Sequence, residues 1–130
     1  MAGEPILIVD DNPTNLKLAR VLLTGVGYEV RTAEDAEAAL RVLDSFTPRL
    51  ILMDIQLPGI DGLELTRRLK LDPLRRDIVV VALTAYAMKG DEERMLAAGC
   101  DGYITKPIDV DRMIADVARY LTRGAGAKRA

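Results

Sequence analysis

The chain has 130 residues, 49% of them hydrophobic and 29% charged, with a formal net charge of −2. That balance suits one globular domain with a single core, and the near-neutral charge gives no electrostatic footing for nucleic acid or an anionic membrane. With no histidine and one cysteine, Cys100, the chain excludes a Ser-His-Asp triad, a His-ligated zinc site, a phosphohistidine of its own and an internal disulfide.

The first strand signal is "ILIVD" at 6–10, an apolar, β-branched run. It ends on adjacent carboxylates, Asp10 and Asp11, which repel each other and resist leaving water. Pro13 suits a first helical turn, after which Leu16, Ala19, Leu23 and Val26 recur at helical spacing. "YEVRT" at 28–32 alternates, as an edge strand does, and Ala36, Leu40 and Leu43 mark a second helix. "LILMD" at 50–54 is again continuously apolar until Asp54, with a turn signalled by Pro58 and Gly59. Asp61 and Glu64 have the spacing of a capping box for a helix carrying Leu65 and Leu69.

"IVVVAL" at 78–83 reads as the fourth strand, and Gly99 closes a helix containing Met95 and Leu96 as a left-handed cap would. "GYIT" at 102–105 is the fifth strand, followed by a helix with Val110, Met113, Ile114, Val117 and Leu121. Residues 124–130, "GAGAKRA", read as a flexible tail after a single domain over 1–123. "MAGEP" lacks the features of a signal peptide, and no apolar run approaches the ~18 residues of a membrane span. The expected location is the cytoplasm.

Five successive strand–helix units predict an α/β fold, a parallel sheet covered by helices on both faces through right-handed crossovers. The polar outliers then share one rim. Asp10 and Asp11 follow the first strand, Asp54 ends the third, Thr84 follows the fourth and Lys106 the fifth. In an open parallel sheet that carboxyl-end rim is where ligands bind. Two carboxylates at ~4 Å repel by about 4 kcal/mol at an effective dielectric of 20. A divalent cation together with Lys106 cancels three such charges, and all-oxygen ligation points to Mg²⁺. Carboxylate, metal, lysine and hydroxyl suit phosphoryl transfer, with Asp54 as nucleophile and Lys106 and Thr84 as donors to the transferred group. Cys100, beside Gly99, reads as packing.

The stretches "LIVDDN", "LILMDIQLPGIDG", "VVALTAYA" and "GYITKPI" make the chain resemble the receiver domain of bacterial two-component response regulators, the CheY-like family. The resemblance implies a flavodoxin-like, doubly wound five-stranded parallel sheet in the order 2-1-3-4-5 with five helices. It implies that Asp54 is the phosphoacceptor. Asp11 and Asp54 would ligate Mg²⁺ directly, Asp10 through water, and the Gln56 backbone carbonyl would complete the protein ligands. Thr84 and Lys106 would bind phosphoryl oxygens, the Lys106–Pro107 bond would be cis, and Tyr103 would be a switch aromatic turning inward as Thr84 moves. Gln56 and Tyr86 would tune phosphoryl lifetime, with bulky Tyr86 lengthening it.

Within the family, "LTAYAMKGDEERMLAAGCDGYITKPI" looks like single-domain regulators of the DivK type, which act in alphaproteobacterial cell-cycle and polarity signalling. The resemblance implies a histidine kinase or histidine phosphotransferase as phosphodonor, docking near Pro13, Asn15 and Leu16. It places a downstream protein partner on the fourth helix, fifth strand and fifth helix, with Lys89, Arg94, Tyr103 and Arg112. The protein would be a monomer or a phosphorylation-dependent dimer, and not an enzyme beyond its own phosphorylation and dephosphorylation.

The alternatives are a receiver module of a hybrid-kinase phosphorelay, a Mg²⁺-dependent aspartyl-phosphate phosphohydrolase, a flavodoxin-like nucleotide or flavin binder, and a receiver that is never phosphorylated. The phosphohydrolase chemistry wants Asp-x-Asp after the first strand, where this chain has a contiguous pair. A phosphate-binding turn wants glycines where this chain has acids.

Overall fold

Strands β1 (Pro5–Val9), β2 (Glu29–Ala33), β3 (Leu50–Asp54), β4 (Val79–Thr84) and β5 (Gly102–Thr105) form one parallel sheet in the order β2-β1-β3-β4-β5. Helices α1 (Pro13–Val26), α2 (Ala36–Leu43), α3 (Gly62–Leu71), α4 (Lys89–Ala98) and α5 (Val110–Arg129) alternate with them. The structure, a computed structural model, describes residues 3–57, 61–85 and 89–129, with side-chain surroundings for 3–57, 61–85 and 90–122. The expected order and handing of strand to helix are those observed. The turn expected at Pro58 and Gly59 lies outside the described residues.

The apolar runs of β1, β3 and β4 serve two cores at once. Leu7, Val9, Ile51, Met53, Val80 and Ala82 face one side and pack with Ala39 and Leu43 of α2, Leu65 and Leu69 of α3, and Met95 of α4. Ile6, Ile8, Leu50, Leu52, Val79 and Val81 face the other and pack with Leu16, Ala19 and Leu23 of α1 and Met113 and Val117 of α5. A strand covered on both faces has no polar side to show, which is why these three read as unbroken apolar segments. β2, at the edge, keeps the alternation seen in its sequence.

Local chemistry sets the element ends. Asn12 caps α1, its Oδ1 accepting from Thr14 N at 2.9 Å and Asn15 N at 3.2 Å. Gly27 ends α1 with φ 111°, and Tyr28 N–H donates back to the Leu23 carbonyl at 3.1 Å, so β2 begins only at Glu29. Gly99, with φ 104°, ends α4 in the same way. Alanine is therefore expected to act with opposite signs two positions apart. Gly25→Ala, in open space within α1, should raise stability by about 0.5 kcal/mol. Gly27→Ala, at positive φ, should lower it by about 1 kcal/mol. Urea unfolding of both variants measures this, and equal signs would contradict it.

Some expectations are corrected. Val26 and Val110 are exposed, since each sits at an end of its helix beyond the sheet's cover, while Tyr120 of α5 is buried instead. Asp61 caps α3 through Glu64 N at 2.8 Å, but the Glu64 carboxylate pairs with Arg67 and Arg68 at 3.2 and 3.3 Å. Arginines one turn ahead offer it charged donors. In the backbone, α5 runs on to Arg129, through the segment read from the sequence as a tail. Extending an existing helix adds one hydrogen bond per residue with no new nucleation, and the alanines there favour it.

Candidate functional site

β1 delivers Asp10 one residue past its end, and the backbone stays anchored there, with Asp10 N–H donating to the Ala33 carbonyl at 3.1 Å. Asp10 Oδ1 accepts from Asn12 N at 2.9 Å, turning the chain into α1. Neither aspartate is the helix cap; that duty falls to Asn12, so the acidic pair needs another explanation. Asp54 ends β3 beside it, with Oδ1 accepting from Gln56 N at 2.9 Å. From the far side of the sheet, Lys106 sends Nζ to 3.3 Å from Asp54 Oδ2 and 3.4 Å from Asp10 Oδ2. Its own N–H donates to the Thr84 carbonyl at 2.7 Å, which ties the two polar strand ends together. Lys106–Pro107 is a cis peptide bond.

Asp10, Asp54 and Thr84 are buried, Lys106 is about one-fifth exposed in its side chain, and Asp11 is exposed. One carboxylate oxygen from each of Asp10, Asp11 and Asp54 lies within 4.8 Å of the others. Lys106 offsets one of three negative charges. Burial pushes the Asp54 carboxyl up from its ordinary value; the Gln56 N–H and Lys106 pull it back, and Asp10 pushes it further up. The buried Asp10 Oδ2 accepts no hydrogen bond among the described residues, since Lys106 approaches it only as an ion pair. A buried carboxylate oxygen left in that state is costly unless a cation completes its surroundings. The donor set therefore fits a small hard divalent cation.

That imbalance is measurable. Asp10→Asn should raise stability in EDTA by on the order of 1 kcal/mol, by removing a buried charge from an over-acidic cluster. Mg²⁺ should then raise the melting temperature of the wild type more than that of the variant, which keeps Asp11 and Asp54. Thermal melts with and without Mg²⁺ decide it, and a variant less stable in EDTA would contradict it.

The expected site residues Asp10, Asp11, Asp54, Thr84 and Lys106 thus converge on one rim, with the Gln56 backbone at its edge. Tyr103, on β5, is half-buried and its hydroxyl donates to Glu92 Oε1 at 2.6 Å. Tyr86 and the side chain of Lys89 lie outside the described residues. Leu16, expected at the donor-docking surface, is 8% exposed and belongs to the core. Its place outside is taken by Leu18 and Val21, which with Pro13, Thr14 and Lys17 line a groove of about 580 Å³ on α1. Sequence reasoning did not single out Asn12 as the cap or Glu92 as the partner of Tyr103; the Asn-Pro pair "NP" signals the first, and nothing local signals the second.

Cys100 is buried in the core of α2, α3 and α4. Burial pushes its thiol up to about 11 from 9.0. Its thiolate fraction near pH 8 should fall about 100-fold, so alkylation by iodoacetamide should be at least that much slower in the folded chain than in urea. Equal rates would contradict the burial.

The family model "Response regulator receiver domain" matches residues 6–118. The chain is 49% identical over 116 residues to the polar-differentiation response regulator DivK of Brucella anthropi, covering 89% of this chain and 94% of that protein. A CheY-like response regulator receiver domain protein from Methanospirillum hungatei superposes with TM-score 0.87 at 30% identity, over 97% of this chain and 99% of that one. The receiver domain of a sensor histidine kinase from Pseudomonas aeruginosa does so with TM-score 0.84 at 35% identity, over 93% and 99%, and carries a magnesium ion coordinated in its active-site cleft.

Proposed function

Because this chain belongs to the response regulator receiver-domain family, we propose that it is a phosphorylation-controlled switch in two-component signalling, with Asp54 as phosphoacceptor. The observation that carries this is the meeting of Asp54 with Asp10, Asp11 and Lys106 at one rim. An Asp54 carboxylate oxygen attacks the phosphorus of a phosphohistidine, the P–N bond breaks and the imidazole leaves with its electron pair. The phosphohistidine belongs to a histidine kinase or phosphotransferase, as this chain contains no histidine.

Asp11 and Asp54 would hold Mg²⁺ directly and Asp10 through water, with the Gln56 carbonyl as the remaining protein ligand. When bound, the cation supplies positive charge to the phosphoryl oxygens. Lys106 meets one of those oxygens with its ammonium and Thr84 another with its hydroxyl, neutralising charge as it spreads over the transferring group. Phosphorylation then adds about one negative charge to the rim. Thr84 is drawn toward it, and Tyr103 turns inward. Gln56 and Tyr86 tune how long the phosphoryl group lasts, Tyr86 by hindering the attacking water.

The donor docks against α1, at Pro13, Asn15 and the groove of Leu18 and Val21. The downstream protein reads the face of α4, β5 and α5. There Arg94 and Arg112 sit mostly exposed in long ion pairs of 3.6 and 3.8 Å with Asp91 and Asp116. Such pairs are worth about 0–1 kcal/mol and are readily exchanged for contacts with a partner. The receiver unit is residues 1–123, working in the cytoplasm as a monomer or a phosphorylation-dependent dimer. No helix among the described residues is long and apolar enough to cross a membrane.

A stand-alone regulator is favoured by the likeness to DivK, matched over 94% of its length. A receiver within a hybrid-kinase phosphorelay is the second reading, favoured by the likeness to sensor-kinase receivers. The test is intact-mass spectrometry after acetyl phosphate, with and without Mg²⁺. One Mg²⁺-dependent phosphoryl adduct supports the proposal. Turnover of a small phosphate ester by the wild type but not by Asp54→Asn would favour a phosphohydrolase instead.

A further inference from the structure

The bond between Tyr103 and Glu92 joins two elements that approach the rim separately. Glu92 stands in the first turn of α4, which follows Thr84 along the chain, and Tyr103 stands on β5, three residues before Lys106. The Tyr103 ring packs half-buried against the core of α2, α3 and α4, so its hydroxyl is held at the α4 side. The bond to Glu92, chiefly, raises the phenol from its ordinary pKa, as expected for a donor to a carboxylate. Thr84 and Lys106 are already joined by the 2.7 Å backbone bond. A movement of the first turn of α4 relative to β5 would therefore stretch or break the Glu92–Tyr103 bond.

We infer that Glu92 is a positioning residue that latches Tyr103 at α4 and thereby opposes phosphorylation of Asp54. The inference rests on the receiver reading above, in which Tyr103 turns inward once the phosphoryl group is in place. A contact made in one arrangement and lost in the other counts against the second by its full differential free energy. By linkage, whatever removes the latch raises affinity for the phosphoryl group and its mimics. The contact lies at a sheet edge, so the expected change is moderate, about fivefold.

The experiment uses the full chain and measures beryllofluoride affinity in Mg²⁺ by fluorine NMR, with acetyl phosphate labelling of Asp54 in parallel. Glu92→Ala and Tyr103→Phe should each bind beryllofluoride about fivefold more tightly, and the double variant no more tightly than either. Glu92→Gln should fall between wild type and Glu92→Ala. Carbon NMR of the Tyr103 phenol should show its pKa moving down toward the ordinary value in Glu92→Gln. A purely structural Glu92 would lower the melting temperature and leave the affinity alone. Unchanged affinity in Tyr103→Phe and Glu92→Gln, with the wild type still labelled on Asp54, overturns the latch by itself. A wild type that neither binds beryllofluoride nor takes a phosphoryl group overturns the receiver reading and the latch with it.

Discussion

Asp54→Asn is expected to carry no phosphoryl adduct after acetyl phosphate and Mg²⁺, where the wild type gains one. The amide has no anionic oxygen with which to attack phosphorus, so the loss should be complete and not a fraction of the rate. The fold should survive, because an Asn side-chain carbonyl can still accept from Gln56 N, the 2.9 Å bond that sets the turn after β3. Removing the negative charge also relieves the rim, so the variant should melt no lower than the wild type in EDTA. Lys106→Ala separates attack from stabilisation: the nucleophile remains, and labelling should slow by about 100-fold without vanishing. An adduct that persists in Asp54→Asn, on a folded chain, would remove Asp54 from the role of phosphoacceptor.

Gly62→Ala should cost at least about 3 kcal/mol, a large loss for the addition of a single methyl. A Cβ there would collide with the Asp54 carbonyl oxygen and stand 2.8 Å from Ile55 Cα. Both are backbone atoms, so no side-chain rotation relieves the overlap. The first turn of α3 is locked in place as well, by Gly62 N–H donating to the Ile55 carbonyl at 3.3 Å and Thr66 Oγ1 donating to the Gly62 carbonyl at 2.7 Å. Relief has to come from pushing α3 off the end of β3, which also moves the Asp54 carboxylate away from Lys106. Urea unfolding should show the loss, and any fraction that folds should label poorly. A variant within about 1 kcal/mol of wild type would mean that α3 is not held against β3 as the structure shows.

Much of the fold is written in local signals. Gly99 stops a helix, Pro13 begins one, and the apolar runs of β1, β3 and β4 announce strands with no solvent face. The candidate site was legible for a related reason. In a parallel sheet every strand end points to the same rim, so Asp10, Asp54, Thr84 and Lys106 meet as soon as the strands are recognised.

What periodicity could not decide was which member of a helical stripe the sheet would cover. The stripe of α1 ran from Leu16 through Ala19 and Leu23 to Val26, and the packing buries the first three and leaves the last exposed. Nor does spacing say where α5 stops, since its glycines and alanines suit either a tail or one more turn.

By itself, then, the sequence determined the strand–helix alternation, one of the two edge strands, and the chemical character of the rim, because these follow from side-chain period and strand-end residue type. Only the tertiary structure decided the rest. It set Lys106 between Asp10 and Asp54 with one carboxylate oxygen of Asp10 lacking a hydrogen bond among the described residues, pressed Gly62 against the backbone of Asp54, and paired Tyr103 with Glu92. Each of these is a contact between different elements, whether neighbours in the chain or far apart. Its distance is fixed by how helices seat on the sheet, to tenths of an ångström, and no local preference carries that information.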